Sequence, residues 1–467
     1  MSHPDDLRLH VAGPASPVPG EFVLYWMQAT MRAEENFALN WAAARANDLG
    51  LPLVVYQGLR HDYPWASDRH HTFILESAAD LYAAFARRGI QYALYLDTRS
   101  PEEAAAGHRD ASPLVRLARR AALVVTDHVP TFIAPRQTRA LREKVAVPVV
   151  AVDSCTVVPM AYHAREYSTA RAIRPRLLEA LPHYLHPVGN VEPRVRRPVE
   201  LPFEPARPAG PGTAGTPVAD LVARCAIDHA VAPARAIRGG TAAARRRLEH
   251  FLRHGLPRYA EERDDPNADA TSGLSPWLHF GNIGIHEVLL RAREAGPVAQ
   301  YEKFQDEALT WRELAHNFVH FDRRHRTVAA IPAWARAELD AHLGDPREAV
   351  YSRAQFARAE THDELWNACQ RAYLRDGTMH NRLRMLWGKS VLLWTRRYGD
   401  ALRILEDLNN RYSLDGRDPN SYGGIHWAFG KFDRPFYRRP VLGTVRYMSL
   451  KAARDKFDVP RYVARYR

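Results

Sequence analysis

The first 160 residues alternate short apolar runs with segments of helical periodicity, and this alternation restricts the fold more than any other feature. Helical patterns occupy residues 32–48 and 72–89, among others. Five apolar runs are predicted strands: Phe22–Met27, Leu51–Gln57, Ile90–Leu96, Ala121–Thr126 and Val147–Val152. Strand–helix alternation predicts an α/β, doubly wound parallel sheet that is Rossmann-like. No GxGxxG follows the first strand, so the usual dinucleotide fingerprint is absent.

The composition changes after residue 160, and this change divides the chain. Residues 187–218 contain eight prolines and no amphipathic period, which is typical of a linker or an irregular surface crossover. From about Leu221 to about Asp407 the periodicity is helical almost throughout. We therefore expect an α/β domain over residues 20–160, a proline-rich interdomain linker over 161–220 and an all-α C-terminal domain over 221–467.

The positive charge of the chain is concentrated near its carboxyl-terminal end. The formal net charge is +12, and residues 351–467 hold 23 Lys and Arg against 12 Asp and Glu, a surplus of 11. A basic end on an otherwise balanced chain favours a polyanionic partner such as nucleic acid. A solvated, arginine-rich surface explains the same count equally well.

Composition also excludes several classes of protein. Hydrophobic residues make up 46% of the 467 residues, which excludes a largely disordered chain. No run of about 18 uncharged apolar residues occurs, and residues 1–17 lack the pattern of a secretory signal, so we expect no membrane association. The three cysteines, Cys155, Cys225 and Cys369, fit neither a disulfide framework nor a zinc site. They predict a metal-free, cytoplasmic protein.

The placement of tryptophan is the first indication of chemistry. Seven of the ten tryptophans fall between Trp277 and Trp427. Trp387 and Trp394 lie seven residues apart on one predicted helix, which places them on one face and about 10 Å apart along its axis. Core packing explains such a pair, and so does a series of indoles that carries electrons between a buried redox centre and the surface.

Two further segments contain clustered polar groups. Small hydroxyl residues at 271–275 precede a predicted helix, where they can either present donors to a phosphate or cap the helix. The helix predicted at 379–395 is crowded with Met, His, Asn, Arg and Trp, which are costly to bury unless a polar ligand meets them. The loop beyond it offers amides and carboxylates to a heteroaromatic ring, although turn chemistry accounts for much of its composition. Its polar residues are Asn409, Asn410, Asp415, Asp418 and Asn420.

Five motifs, in this order and at these spacings, resemble the photolyase/cryptochrome superfamily. They are TSGLSPWLHFGNI (271–283), WRELAHNF (311–318), HDELWNA (362–368), MHNRLRMLW (379–387) and LNNRYSLDGRDPNSYGG (408–424). With YWMQATMRAEENFAL at 25–39, they look most like the class II cyclobutane pyrimidine dimer photolyases over about residues 21–448. The resemblance implies a noncovalent, reduced FAD in the helical domain. It also implies light-driven repair of cyclobutane dimers in DNA, by electron transfer and without net redox change.

The resemblance assigns the cofactor and its electron supply to individual residues. Asn409 matches the asparagine that faces flavin N5 and favours the reduced ring. Photoreduction would pass along Trp366, Trp387 and Trp394, which match the electron-transferring tryptophans of this class. The residues implied to hold FAD are Tyr259, Thr271, Ser272, Gly273, Leu274, Ser275, Trp311, Arg312, Asn317, Trp366, Asn367, Asn381, Arg384, Asn409, Asp415 and Asp418.

The resemblance also implies a lesion site. Trp311 and Trp427 would stack on the flipped-out dimer beside Met385, and Glu307 would hydrogen-bond the damaged pyrimidine. This chain departs from the class pattern at Lys431–Phe436, which reads KFDRPF, is one residue shorter and lacks a histidine. His426, next to Trp427, replaces a small residue. Both changes are expected to reshape the lesion pocket.

Several alternatives stay open at this stage. A cryptochrome-like photoreceptor would use the same flavin and tryptophans for signalling, although Glu307, Trp311 and Trp427 favour repair. A flavoprotein oxidoreductase or a plain nucleic-acid binder would need no light. Repair of (6-4) photoproducts usually needs two histidines in the pocket, for which His426 alone is a poor substitute. A second, antenna chromophore (deazaflavin or folate) between the domains is possible, and a monomer is expected.

Overall fold

A six-stranded sheet forms the amino-terminal part of the computed structural model, which describes residues 4–11, 16–99, 102–103, 112–211 and 214–467. The strands are β1 Leu9–Val11, β2 Phe22–Trp26, β3 Leu53–Leu59, β4 Gln91–Leu96, β5 Ala121–Asp127 and β6 Val149–Val152. Their order across the sheet is β1-β6-β5-β2-β3-β4. All pairs are parallel except β1 with β6, where Leu9 faces Val152. The predicted parallel sheet and its five strands are confirmed, whereas the sequence analysis missed the three-residue β1.

The central strands are buried on both faces, which explains why their sequences are continuous apolar runs. Every residue of β2 and β5 is buried. Parallel strands covered by helices on both sides show this pattern, because no face is left for water. The helices of this region are α1 Phe37–Leu49, α2 Asp68–Arg87, α3 Pro113–Ala118 and α4 Ala134–Arg142.

The strand order reverses at β2, and this reversal creates a crevice. The chain proceeds from β2 to β3 and β4 on one side, and then returns to β5 and β6 on the other. In open α/β sheets, ligands bind outside the carboxyl ends of the strands at such a point. Asp127, at the end of β5, organises the loop after β2 by accepting the backbone N–H groups of Gln28, Ala29 and Thr30 at 2.8, 2.8 and 3.0 Å.

The segment predicted as a linker, 161–220, contains one long helix. Helix α5, Ala170–Tyr184, has Pro175 and Pro182 inside it, and these prolines hide its periodicity. Beyond it, the described residues up to Pro217 form neither helix nor strand, apart from isolated bridge residues at Pro208, Gly210 and Thr216. The proline-rich composition therefore corresponds to irregular chain, and the domain boundaries remain predictions.

The rest of the chain is helical, as the periodicity predicts. Two π-helical turns, Phe251–Gly255 and Asp306–Trp311, interrupt this series. The helices are α6 Val218–Ala223, α7 Thr241–His250, α8 Tyr259–Glu262, α9 Ser275–His279, α10 Ile285–Ala295, α11 Val298–Gln305, α12 Arg312–Phe321, α13 Ala333–Ala341, α14 Arg353–Ala357, α15 Glu364–Asp376, α16 Asn381–Leu393, α17 Tyr398–Tyr412, α18 Pro419–Ala428, α19 Leu450–Arg454 and α20 Val459–Arg465.

Within the ranges given above, three large hydrophobic cores organise these layers. The first joins one face of the sheet and α1 to the helices of the second half up to Leu314, and it also contains Leu414. The second lies among α13 to α20 and contains Trp366, Trp387 and Trp394. The third, with Phe22 and Leu24, lies on the opposite face of the sheet. Among the described residues, no helix combines the length and apolarity needed to cross a membrane.

Candidate functional site

Three buried indoles form a continuous series in the second core. Trp366, on α15, stacks on Trp387 with ring centroids 6.2 Å apart and an interplanar angle of 10°. The ring of Trp366 also contacts that of Trp394, with centroids 6.1 Å apart and an interplanar angle of 63°. The sequence predicted Trp387 and Trp394 on one helix face, and the structure inserts Trp366 between them. Each step between neighbouring rings is therefore short.

The two ends of this series lie in different surroundings. At the outer end, the ring of Trp394 lies 5.9 Å from Tyr351 and 4.8 Å from the exposed His362. At the inner end, the buried Tyr373 meets Trp387 edge to face at 5.5 Å. The indoles thus connect the protein surface with a buried group of polar side chains around Tyr373.

An ion pair dominates that polar group. Arg384 Nη2 donates to Asp415 Oδ1 and Oδ2 at 3.0 and 3.1 Å, and Ser413 Oγ also donates to Asp415. Burial raises the pKa of Asp415, but Arg384 and the hydroxyl groups of Ser413 and Ser275 outweigh burial and hold it below its ordinary value. The carboxylate is therefore ionised at neutral pH. Within the part of the chain that the structure describes, the buried Arg384 Nε has no hydrogen-bond partner.

Asn409 is linked to this ion pair through Tyr373, whose ring centroid lies 5.5 Å from Arg384 Cζ. Tyr373 Oη donates to Asn409 Oδ1 at 3.3 Å, and Asn409 Nδ2 donates to Asn410 Oδ1 at 3.2 Å. The side chain of Asn409 is buried. We call Arg384, Asp415, Asn409 and Tyr373 the polar cluster.

The hydroxyl-rich segment 271–275 reaches the polar cluster through Ser275, which hydrogen-bonds Asp415. Arg247 donates to the carbonyl oxygens of Thr271 and Ser272, each at 2.7 Å. These oxygens therefore face Arg247. Gly273 has a φ of +63°, and a Cβ there would lie 2.9 Å from Arg247 Nε, so both conformation and space require glycine.

Two further residues of the implied FAD set lie near this segment but are buried in the first core. Leu274 is fully buried there, and Tyr259 packs edge to face on Phe251 and Phe304. Burial, reinforced by the charge of Glu307, raises the pKa of Tyr259 to about 12. Their contacts show packing, with the Tyr259 hydroxyl directed toward Arg263.

Three asparagines predicted to line FAD are occupied elsewhere or exposed. The Asn317 amide accepts from the backbone of Tyr167 at 2.8 Å and donates to the carbonyl of Arg165 at 3.0 Å. The Asn367 amide accepts from the backbone N–H and the hydroxyl of Thr361 and donates to the carbonyl of Thr361. Asn381 is the exposed first residue of α16. Asn317 therefore stabilises the loop at residues 165–167, and Asn367 stabilises the loop at Thr361.

The crevice at the carboxyl ends of the strands contains two more of the predicted FAD residues, Arg312 and Asp418. It is lined by residues that follow β2, β3 and β5 and, from the helical side, by Phe280, Arg312, Arg417 and Asp418. Within the described residues, the buried atoms Arg312 Nη1 and Arg417 Nη2 have no hydrogen-bond partner. Arg417 has a φ of 66°, and its guanidinium lies over the ring of Phe132 at 5.8 Å. Sequence reasoning missed Arg417, because it lies in a segment that turn chemistry explains.

Glu307 and Trp311 are presented by a π-helical turn between α11 and α12. Such turns are frequent at functional sites, because the extra residue changes which side chains face outward. Arg263 Nη1 contacts Glu307 Oε1 at 2.6 Å and Lys303 Nζ lies 3.3 Å from it. Trp311 is 37% exposed. An exposed indole beside a paired carboxylate is available to a flat ligand.

Trp427 is framed by two cationic side chains. Lys389 Nζ lies 5.0 Å from its ring centroid and Arg446 Cζ lies 5.8 Å from it. Burial lowers the pKa of Lys389 to about 7. Met385, four residues before Lys389 on α16, is half-buried. The rings of Trp427 and Trp311, both in the described part of the chain, make no contact with each other, and the lesion pocket stays a prediction.

The divergent KFDRPF segment is held by its own contacts. Lys431 Nζ contacts Glu166 Oε1 at 2.5 Å, and Asp433 accepts from Arg446 at 2.6 and 2.8 Å. The ring of Phe432 packs on Phe318 at 5.8 Å. The Asp433–Arg446 pair therefore couples the segment to the residue that faces Trp427.

His426 points away from any exposed pocket. It is buried, its Nε2 lies 2.7 Å from the carbonyl oxygen of His325, and its ring meets Phe318 at 5.4 Å. Burial lowers its pKa to about 4. Its effect on a bound lesion can only be indirect. Among the described residues, no group of three or more His, Cys, Asp or Glu side chains is suited to a metal ion.

Comparison with known proteins identifies the family. The sequence model of the DNA photolyase family matches residues 23–193. The deoxyribodipyrimidine photo-lyase of Methanothermobacter thermautotrophicus is 35% identical over 469 residues, which cover 100% of this chain and 99% of that protein. This chain belongs to the DNA photolyase family.

Solved photolyases share the fold of this family member. A bacterial class III photolyase from Agrobacterium tumefaciens superposes with a TM-score of 0.70 at 19% identity, over 97% of this chain and 88% of the other. An archaeal photolyase from Sulfolobus tokodaii with two FAD molecules gives 0.64 at 17% identity, over 95% and 89%. The α/β sheet followed by a helical region is therefore the photolyase/cryptochrome fold.

The polar cluster of this photolyase fits the FAD that the family implies. A flavin ring offers carbonyl and ring-nitrogen acceptors, an N–H at N3 and, when reduced, a second N–H at N5. The unpartnered Arg384 Nε and the amide of Asn409 are suitable partners for such groups. A buried donor without a partner costs about 1–3 kcal/mol, which a polar ligand would recover.

Proposed function

We propose that this chain is a class II deoxyribodipyrimidine photo-lyase that splits cyclobutane pyrimidine dimers in DNA under light. One observation carries the proposal: three indoles at steps of 6.2 and 6.1 Å lead from the surface to a buried polar cluster that fits a flavin. The class II subdivision is supported by the order and spacing of the motifs at 25–39, 271–283 and 408–424.

The protein's own part in this reaction is binding and orientation. FAD, when bound and reduced, supplies the photoexcited electron that opens the cyclobutane ring and then returns. The ion pair of Arg384 and Asp415 holds a fixed cation and anion beside the ring. Asn409 offers hydrogen bonds at N5. The indole of Trp366 relays electrons that keep the cofactor reduced.

The lesion would be recognised by Glu307, Trp311 and Trp427. Stacking on indoles suits a flipped-out pair of pyrimidines, and a damaged, poorly stacked pair is the least costly to extrude. Arg263 and Lys303 both contact the Glu307 carboxylate and would hold it in one orientation.

The DNA backbone would be bound by a basic, aromatic hairpin near Trp427. Phe436 N–H donates to Thr444 O at 2.8 Å, and Arg439 exchanges two backbone hydrogen bonds with Gly443, each 2.9 Å. Tyr437 is 93% exposed, and the hairpin region carries the exposed Arg434 and Arg439. Exposed arginines beside an exposed aromatic ring are typical of nucleic-acid contacts. The chain is expected to act as a monomer on UV-damaged DNA.

The crevice at the strand ends would accept an antenna chromophore. Arg312 and Arg417 line it, and each has a buried nitrogen without a hydrogen-bond partner among the residues that the structure describes. This favours a ligand with acceptor oxygens or a negative charge. The rings of Phe132 and Phe280, both close to Arg417, suit a planar molecule. A deazaflavin and a folate both satisfy these conditions.

Light-dependent repair by the purified protein tests the proposal. A thymine-dimer oligonucleotide is illuminated with the reduced protein, and the recovery of absorbance near 260 nm is followed. We expect recovery that is greatly slowed in Glu307→Ala. The matched control is Glu261→Ala, an exposed glutamate of α8, which should repair normally. Bound, reduced FAD without repair would refute the photo-lyase and favour a photoreceptor.

A further inference from the structure

Hydrogen bonds with a fixed donor determine the orientation of the Asn410 amide and, through it, of the Asn409 amide. The backbone N–H of Arg417 lies 2.7 Å from Asn410 Oδ1. A backbone N–H can only donate, so the atom of Asn410 at this position is its oxygen. Asn409 presents an amide atom 3.2 Å from the same oxygen, and that atom must be its nitrogen, Nδ2.

The other end of the Asn409 amide is therefore its oxygen, and it meets Tyr373. Tyr373 Oη donates to Asn409 Oδ1 at 3.3 Å. Burial raises the pKa of the Tyr373 phenol above its ordinary value, with Arg384 opposing the rise, so the phenol stays protonated and remains a donor. The orientation of the amide is thus fixed by a backbone group at one end and by a neutral phenol at the other.

The ring and the hydroxyl of Tyr373 have separate contacts. The ring meets Trp387 edge to face at 5.5 Å, and Arg384 Cζ lies 5.5 Å from its centroid. The hydroxyl makes the hydrogen bond to Asn409 and also interacts with the side chains of Ser413 and Arg384. Removing the hydroxyl alone therefore leaves the packing of the electron path in place.

We propose that Tyr373 is a positioning residue that locks the Asn409 amide and thereby favours a proton at flavin N5. This inference rests on the proposed function, in which Asn409 faces N5. While Oδ1 accepts from Tyr373, it keeps one lone pair, which can accept the N5–H of the reduced ring. An amide that is free to rotate can present its NH₂ group instead, which pairs with the unprotonated N5 of the oxidised ring.

The variant Tyr373→Phe tests this role in the FAD-loaded full chain by spectroelectrochemical titration. The ratio of reduced to oxidised flavin at a fixed potential should fall about fivefold, which corresponds to one neutral hydrogen bond. The matched control is Tyr462→Phe. Tyr462 is also buried, and its hydroxyl contacts Cys369 instead of the polar cluster, so this variant should titrate like the unmodified chain.

A double-mutant cycle separates positioning from packing. In an Asn409→Ala background, Tyr373→Phe should produce no further shift, because the amide through which the hydroxyl acts is gone. A shift of equal size in both backgrounds would overturn the proposal, since it would show that the Tyr373 hydroxyl acts independently of the Asn409 amide. Loss of FAD from Tyr373→Phe would also overturn it, because the isosteric ring keeps its contacts.

The remaining outcomes distinguish this inference from the proposed function. If the unmodified chain binds FAD and repairs dimers while Tyr373→Phe titrates like the unmodified chain, the positioning role alone is refuted. If the unmodified chain binds no FAD, the proposed function and the positioning role are refuted together.

Discussion

The ion pair of Arg384 and Asp415 is the electrostatic centre of the polar cluster, and Asp415→Asn measures what it contributes. The substitution keeps the size of the side chain but removes its charge. Arg384 then loses both hydrogen bonds to a carboxylate, at 3.0 and 3.1 Å. Removing one member of a buried ion pair costs about 3–5 kcal/mol. Because the Arg384 side chain is 22% exposed, we expect a loss of unfolding free energy at the lower end of this range, about 3 kcal/mol.

This cost corresponds to about a 150-fold change in the unfolding equilibrium at neutral pH. Urea unfolding of the full chain, followed by circular dichroism, measures it. Glu360→Gln is the control, because its carboxylate pairs with Arg358 on the surface and should contribute little. Equal unfolding midpoints for the two variants would refute the reasoning.

The pH dependence of the same pair has a defined sign. The pKa of Asp415 in the folded chain lies below its unfolded value of 3.8. Its contribution to stability is therefore fully present above that value and is lost as the pH falls through the lower folded pKa. The difference in unfolding free energy between the unmodified chain and Asp415→Asn should stay constant near neutrality and shrink only in strong acid.

Three further predictions concern the electron path, acid stability and DNA binding. Trp366→Phe should abolish photoreduction of the flavin but leave repair by chemically reduced protein intact. The control Trp334→Phe, outside the series of indoles, should change neither, and flavin absorbance under illumination measures photoreduction in both variants. Burial lowers the pKa of His128 below its unfolded value of 6.5, so the unfolded chain binds a proton at this residue more readily than the folded chain. The stability of the folded chain should therefore decline as the pH falls below about 6.5. In thermal unfolding, His128→Asn should make that decline less steep. The double variant Arg434→Gln, Arg439→Gln should reduce the slope of log affinity against log salt by about 2 in a DNA-binding titration, and an unchanged slope would exclude the hairpin from phosphate contact.

Local patterns were sufficient to predict most elements of the fold. The apolar runs located five strands, because a strand that is buried on both faces must be apolar along its whole length. The same reasoning missed β1, Leu9–Val11, which is too short to show a pattern and depends on pairing with β6. It also missed α5, Ala170–Tyr184, whose two internal prolines contradict local helix propensity.

The candidate site was predicted unevenly. Trp387 and Trp394 could be placed on one helix face from their spacing, but the position of Trp366 between them depends on how α15 packs against α16. Arg312 and Asn317 lie on one motif and one helix, yet the structure directs Arg312 into the crevice and Asn317 onto the backbone at 165 and 167. Neighbours in a motif need not be neighbours in a site, because a helix turns successive side chains to different sides.

Local sequence patterns were enough to predict the parallel sheet, the helical second half and the residue types of a flavin-dependent photolyase, and residue counts located the basic carboxyl-terminal end. Which of those residues meet depends on how the chain folds. Arg384 and Asp415 are 31 positions apart, and Tyr373 and Asn409 are 36 apart. Such contacts arise when packed helices exclude water and bring distant positions together, and the resulting burial sets the pKa of each group. Periodicity is local and therefore readable along the chain, whereas burial and charge pairing belong to the folded molecule.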